Sequence, residues 1–377
     1  MIPFNVPTAV GTEVSYIAEV IKNRRICGDG EYTRKCQNWF EKYIPAKKTL
    51  LTTSCTHALE MAAFLLDIKE GDEVVLPSFT FVSTANAFVL RGAKIVFIDI
   101  NPETMNMDVS KLEAAVNEKT KAVVVMHYAG VSCDMDAVFA ITKPKKITVV
   151  EDAAQGFMSR YKGSMSGSLG TFGCYSFHET KNITCGEGGL LIINDERYIE
   201  AAEIIREKGT NRSRFLRGMV DKYTWVNRGS SYLPSELNAA YLFAQLESAE
   251  TIQADRVKSW NFYMDGLSGL ARDGIIELPF LPRDTEHNAH LFYIKTKDLE
   301  ERSTLIEYLK KREIGSAFHY IPLHSSPAGK CYGIFSGRDE WTTRESNRLL
   351  RLPLWYGINS EEINRVVEAI KTFYKHD

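Results

Sequence analysis

Ile147-Thr148-Val149-Val150-Glu151-Asp152-Ala153-Ala154-Gln155-Gly156 starts as a β-branched run and ends in acidic and small residues. A Gly/Ser-rich crossing follows. After it come Gly173-Cys174-Tyr175-Ser176-Phe177-His178-Glu179-Thr180-Lys181-Asn182 and then Gly186-Glu187-Gly188-Gly189. Short apolar runs that give way to polar residues read as buried strands, and open α/β sheets bind ligands at the carboxyl ends of such strands. On that basis Asp152 closes one buried strand, and Lys181 stands just past another, 29 positions on.

A buried carboxylate and a lysine so placed are what pyridoxal phosphate (PLP) chemistry needs. A lysine amine condenses with the cofactor aldehyde and later carries protons between substrate carbon and cofactor carbon. The pyridine ring takes up electrons only while its nitrogen stays protonated, and a carboxylate facing that nitrogen favours the charged form. Asp152 is then the pyridinium partner and Lys181 the catalytic lysine. Each residue also has a blander use. An aspartate ending a strand can cap the next helix or bind a ribose or a metal, and a lysine in a polar loop is usually solvated.

Upstream, Thr49-Leu50-Leu51 reads as a short strand that runs into Thr52-Thr53-Ser54-Cys55-Thr56-His57-Ala58. The hydroxyls sit where a helix N-cap belongs, and free N–H groups at a helix N-terminus attract anions. Ser54 or Thr53 could equally do no more than cap the helix. Phe79-Thr80-Phe81 follows the strand Glu73–Pro77, and a ring there can stack on a flat cofactor or fill the core. His127 ends the apolar run Lys121–Met126 and is either a pocket residue or a hydrogen-bonded structural histidine. Gly28-Asp29-Gly30 lacks the third glycine and the preceding strand of a dinucleotide fingerprint, so NAD binding is rejected there.

The chain has 377 residues, 44% hydrophobic and 25% charged, with a net charge of −2 and no run of like charges. That fits a globular protein with a large core and argues against nucleic acid or a membrane surface as main partner. Seven cysteines without a CxxC pair read as free thiols in a reducing compartment, with no metal site expected. No signal peptide or membrane span is read, so a cytoplasmic location is expected. Strand and helix alternate through residue 192, which predicts an α/β fold with a mainly parallel sheet. Val14, Ile17, Ala18 and Ile21 mark one face of a first helix. A long Arg-rich stretch, Gly209–Tyr232, has the length of a functional loop. A domain boundary is set near 250. It gives a large domain over 13–250 and a small α+β domain over 251–377, completed by residues 1–12.

The run Val150–Gln155, the run Ser176-Phe177-His178 ending in Lys181-Asn182, and the Gly186–Gly189 tail resemble the nucleotide-sugar aminotransferases of the DegT/DnrJ/EryC1 family. The likeness covers nearly the whole chain. It implies the fold type I, aspartate aminotransferase-like PLP architecture. By the same likeness Cys55 and Thr56 stand at the turn that holds the PLP phosphate, with Ser176 adding a hydrogen bond. Phe81 takes the place of the ring-stacking residue, and Gln155 that of the partner of the ring hydroxyl. The 209–232 segment reaches into a second subunit of a homodimer. There Ser231 stands where many relatives carry an asparagine on the phosphate. His178, Tyr320 and His324 become candidate substrate contacts. Met1–Asn5, Cys27–Gly30, Ser78–Phe88, Glu207–Ser213 and Gly229–Leu233 match members acting on dTDP-4-dehydro-6-deoxy-glucose, with L-glutamate as amino donor and the galacto amine as product. The gluco epimer, a 3-keto sugar or a GDP- or UDP-linked sugar are the alternatives. Sugar dehydratases of the family lack the lysine that is present here as Lys181.

Overall fold

A computed structural model of the chain describes residues 1–375. Its centre is an eight-stranded sheet. The strands lie in the order Lys48–Thr52, Gly189–Ile193, Phe172–Ser176, Thr148–Asp152, Thr120–Met126, Glu73–Pro77, Lys94–Ile98 and Gly333–Phe335. From Phe172–Ser176 to Gly333–Phe335 every pairing is parallel. Gly189–Ile193 runs antiparallel to both its neighbours. The sheet is α/β and mainly parallel, as the sequence predicts.

Side-chain alternation covers both faces. Val74, Leu76, Val124 and Val150 pack with Ala58, Leu59 and Met61 of the helix Cys55–Leu65. Val75, Val123, Val125 and Val149 face the other way, onto Leu112, Met135 and Val138. This explains why the strands read as continuous apolar runs rather than as alternation.

The expected alternation of strand and helix fails twice. No helix joins Asp152 to Phe172; a two-residue hairpin, Arg160–Tyr161 with Ser164–Met165, takes its place. Glu151 fixes this crossing by accepting from the N–H groups of Gly167, Leu169 and Gly170 at 2.6–2.7 Å. Nor does a helix join Ser176 to Gly189, because antiparallel neighbours need no crossover. The first helix, Glu13–Lys22, also differs from expectation. Val14 and Ile21 are exposed and Glu13 is buried, because its carboxylate accepts from the N–H groups of Val10 and Gly11 and from Gln245.

A second core gathers Trp260, Tyr263, Phe292, Leu309, Leu350 and Val366, and Ile2 joins it through a bridge to Ile314. It is backed by the sheet Phe292–Lys295, Leu349–Leu352, Ala317–Phe318. The helix Ala249–Arg272 links the two bodies. Its Ala249 and Ile252 pack beside the large sheet, and its Trp260, Tyr263 and Leu267 in the second core.

Candidate active site

Parallel register sets Met126 beside Asp152 and Asp152 beside Cys174, so three strands end together. The segments leaving these ends line a cavity of about 520 Å³. Lys181, Asp152, Gln155, Phe81, Cys55, Thr56, Ser176, His178 and Tyr320 all contribute to its wall.

Asp152 is 4% exposed. Its Oδ2 accepts from Thr84 Oγ1 at 2.6 Å, and its Oδ1 from the Ala154 N–H at 3.1 Å. Burial pushes its carboxyl up, against the Thr84 bond, the Ala154 bond and the charge of Lys181. A cation facing Asp152 would offset that cost. Burial pushes the Lys181 amine down from the usual lysine range, with Asp152 pulling the other way. Among the described residues nothing hydrogen-bonds or ion-pairs with this amine. A lysine with a lowered pKa and no partner is poised as a nucleophile and base.

Opposite, the helix Cys55–Leu65 points its N-terminus into the cavity. Ser54 caps it, accepting from His57 N–H, and this leaves the first two N–H groups of the helix unused. The N–H groups of Cys55 and Thr56 have no acceptor among the described residues. Thr56 Oγ1 donates to Ser83 Oγ at 2.7 Å, and Ser176 lies alongside. The Gly186–Gly189 tail acquires its reason here. A Cβ at Gly189 would sit 2.3 Å from Ser54 C and 2.5 Å from Cys55 N, so only glycine lets that strand pass the helix start.

On the remaining wall, Gln155 Oε1 accepts from the Ala129 N–H at 2.7 Å, which turns its NH2 toward the Tyr320 hydroxyl at 2.9 Å. Phe79 and Tyr128 pack edge-on to Tyr320. Phe81 is 53% exposed and offers a free face to the cavity. His178 Nδ1 meets Thr180 Oγ1 at 3.0 Å, at the mouth.

Two candidates are not brought here. The His324 imidazole is committed to Ser78 Oγ at 2.7 Å and Asp339 at 3.2 Å and does not line the cavity. Ser231 bridges to Glu207 on the exposed 209–232 segment, away from the cavity of its own chain. His127 is fully buried. Its Nδ1 accepts from Cys133 N–H, so Nε2 bears the proton and donates to Glu151. Its role is structural.

Sequence reading missed Thr84, which steers Asp152 from a neighbouring helix, and Arg351, His290 and His319, which complete the wall. His290 and His319 are held well below the usual histidine range by burial. Those four come from distant segments; Thr84 lies within the run Ser78–Phe88 and His319 beside Tyr320, but no local pattern singles out the residues themselves. The donor set fits PLP: free N–H groups and hydroxyls for a phosphate, a buried carboxylate for the ring nitrogen, an exposed aromatic face and an unpartnered amine.

Residues 7–371 match the model of the DegT/DnrJ/EryC1/StrS aminotransferase family. The spore coat polysaccharide biosynthesis protein SpsC of Bacillus subtilis (strain 168) is 31% identical, over 99% of this chain and 97% of SpsC. The aminotransferase TlmJ from Streptoalloteichus hindustanus superposes with a TM-score of 0.91 at 27% identity, covering 100% and 99% of the two chains. A Streptococcus pneumoniae protein assigned as a sugar aminotransferase, in its pyridoxamine phosphate form, gives 0.90 at 27% identity over all of both chains. Its PLP form gives 0.89, covering 100% and 99%.

Proposed function

The chain belongs to the DegT/DnrJ/EryC1/StrS aminotransferase family and is a PLP-dependent enzyme, and on that premise we propose that it aminates dTDP-4-dehydro-6-deoxy-D-glucose at C4. L-Glutamate gives the amine, and dTDP-4-amino-4,6-dideoxy-D-galactose is released. What supports this is one cavity that holds an unpartnered lysine amine, a buried carboxylate and a hydroxyl-fringed helix N-terminus. The subtype rests on the runs Ser78–Phe88 and Gly229–Leu233.

When bound, PLP supplies an aldehyde carbon and an electron-accepting ring. Asp152 holds the proton on the ring nitrogen. Thr84 orients Asp152. The N–H groups of Cys55 and Thr56, with the Thr56 and Ser176 hydroxyls, hold the phosphate end. Gln155 hydrogen-bonds the ring hydroxyl through its NH2, and Phe81 covers one ring face against water. Lys181 takes the proton from the α-carbon of the donor and delivers one to sugar C4 in the second half-reaction. The face from which it delivers sets the epimer. His178 and Tyr320 contact the sugar, and His324 keeps to its bonds with Ser78 and Asp339. Ser231 of a second copy reaches the phosphate in a homodimer with shared sites. We assign residues 13–250 to the cofactor domain and 251–377 with 1–12 to the small domain. The enzyme works in the cytoplasm, and its product serves surface-polysaccharide assembly of the enterobacterial common antigen type.

The test is product analysis with the dTDP keto-sugar, L-glutamate and PLP, with Lys181→Ala as control. Small H3–H4 and H4–H5 couplings mark the axial amine expected here. Large couplings replace it with the gluco epimer. No product from PLP-loaded enzyme removes this substrate in favour of a 3-keto or GDP- or UDP-linked sugar.

A further inference from the structure

His290 lines the cavity and is 8% exposed. Its backbone is held on both sides. The N–H donates to Asn288 Oδ1 at 3.0 Å, and the carbonyl accepts from Arg256 Nη2 at 2.6 Å. Asn288 is itself tied to the cofactor wall, since its NH2 donates to the carbonyls of Gln155 and Phe157 at 2.7 and 2.8 Å. The ring is held as well. Asn182 Nδ2 donates to Asn288 O at 2.8 Å, which fixes that amide and leaves its oxygen to His290 Nδ1 at 3.0 Å. An amide oxygen only accepts, so Nδ1 carries the proton. Burial, with the charge of Lys181 adding to it, holds the ring well below the usual histidine range. His290 is therefore neutral, and its Nε2 is a bare lone pair. Among the described residues nothing donates to that nitrogen. His127 and His324, by contrast, use both ring nitrogens on groups of the chain. A buried acceptor left open beside a cavity costs free energy until something donates to it.

We propose that His290 Nε2 receives the Lys181 ammonium while that lysine is detached from the cofactor, and so positions it for each proton transfer. This rests on the PLP-dependent aminotransferase reading above and not on which sugar is bound. Lys181 is joined to the cofactor at rest and free during each half-reaction. Once free, its amine takes the proton from the α-carbon of the donor. It is then an ammonium with three N–H donors, and the chain as it stands gives it no acceptor. His290 is bonded to Asn182, the next residue of the chain, so one backbone step ties the two side chains together. The charge of Lys181 reaches the His290 ring. The other donors that enter the cavity fit Nε2 less well. The ring hydroxyl of the cofactor has Gln155, while the donor's own amine and the sugar hydroxyls are each present for only one half-reaction. Lys181 serves both. A neutral acceptor also suits the task. A carboxylate there would hold the proton on Lys181 and weaken it as an acid. The buried imidazole accepts the hydrogen bond without taking the proton, which stays on Lys181 until it is delivered to the cofactor carbon.

The holoenzyme tests this, because its two half-reactions can be followed alone. L-Glutamate converts the pyridoxal form to the pyridoxamine form, and keto-sugar returns it, each with its own absorbance. His290→Phe keeps a ring and removes the acceptor. It is expected to slow both half-reactions about 30-fold, the size of one hydrogen bond to a charged group. The cofactor band reports that the variant is folded and loaded. His290→Gln can set its NH2 on Asn182 and its oxygen on the ammonium, and should stay within about fivefold of wild type in both half-reactions. Nitrogen NMR of wild type carrying isotope-labelled histidine gives a readout independent of rate, with the His290 signals identified as those missing from either variant. Nδ1 should be protonated and Nε2 bare in both forms of the enzyme. The Nε2 signal should move upfield from the pyridoxal form, where the lysine is bound, to the pyridoxamine form, where its ammonium is free to donate. A loss confined to one half-reaction assigns Nε2 to a group of that substrate and overturns the proposal. Wild-type rates in His290→Phe overturn it too, as does an Nε2 that carries the proton or a signal that does not move between the forms, which is what a merely structural histidine would show. Should wild type accept glutamate but not this keto-sugar, the proposed substrate falls while the glutamate comparison and the NMR still decide.

Discussion

Replacing Asp152 by asparagine keeps the shape of the side chain and removes its charge. The amide oxygen can still accept from Thr84, which keeps the helix contact, while the bond from the Ala154 N–H is given up. What is lost is the attraction between a buried carboxylate, 4% exposed, and a protonated ring nitrogen. Two opposite charges about 4 Å apart at an effective dielectric of about 20 attract by about 4 kcal/mol. At about 1.4 kcal/mol per factor of ten, the half-reaction with L-glutamate should slow roughly 1000-fold. Stopped-flow absorbance in single turnover reads this step directly, and the cofactor band confirms loading. Thr84→Val is the graded companion. It leaves the charge and removes one hydrogen bond, worth about 1 kcal/mol, so a loss of about five- to tenfold is expected. If Asp152→Asn loaded with PLP turned over within about tenfold of wild type, Asp152 could not be the group that keeps the ring protonated.

Three further outcomes are expected. Burial lowers the Lys181 pKa, so the rate of apoenzyme reconstitution with PLP should rise with a midpoint below 10.5; a midpoint at or above that value contradicts the poised amine. His287 is pushed down to about 4 by burial, and its Nδ1 accepts from the Ala289 N–H. The unfolded chain then binds the proton first, so stability is full above about pH 6.5 and falls as pH drops toward 4; the unfolding free energy of His287→Gln, from urea titrations, should fall less steeply, by roughly 2 kcal/mol across that window after allowing for partial exposure. Gly189→Ala places a methyl against the backbone of Ser54 and Cys55, so PLP should dissociate at least about tenfold more readily, as measured by dialysis and absorbance; unchanged retention would mean that the helix start is not the phosphate site.

Several strand assignments were legible because the buried strands concerned are short apolar runs, often β-branched, bounded by polar residues. Glu73–Pro77 and Thr148–Asp152 fall where the pattern puts them. Asp152 was legible for the same reason, as the last residue of its strand, whereas Lys181 stands five residues past Ser176 and was read from its pairing with Asp152 and from the likeness of its run to the family. The crossing between residues 152 and 172 was not, because its shape depends on three N–H groups converging on Glu151. The exposed Val14 and Ile21 went against the apolar periodicity because Glu13 is drawn inward by backbone donors two and three residues before it. His324 became a candidate by likeness to the family, but Ser78 and Asp339, remote in sequence, claim its ring.

The sequence by itself determined the layered α/β class, the lysine and its carboxylate, and the helix start that faces them. These follow from local periodicity and from what the chemistry demands of each residue type. Only the tertiary structure decided which distant side chains complete the site. Thr84 reaches Asp152 across 68 positions, and Arg351 comes from a strand whose other face is core. Such partners are chosen by how strands stack and where their ends meet, and no local pattern carries that information.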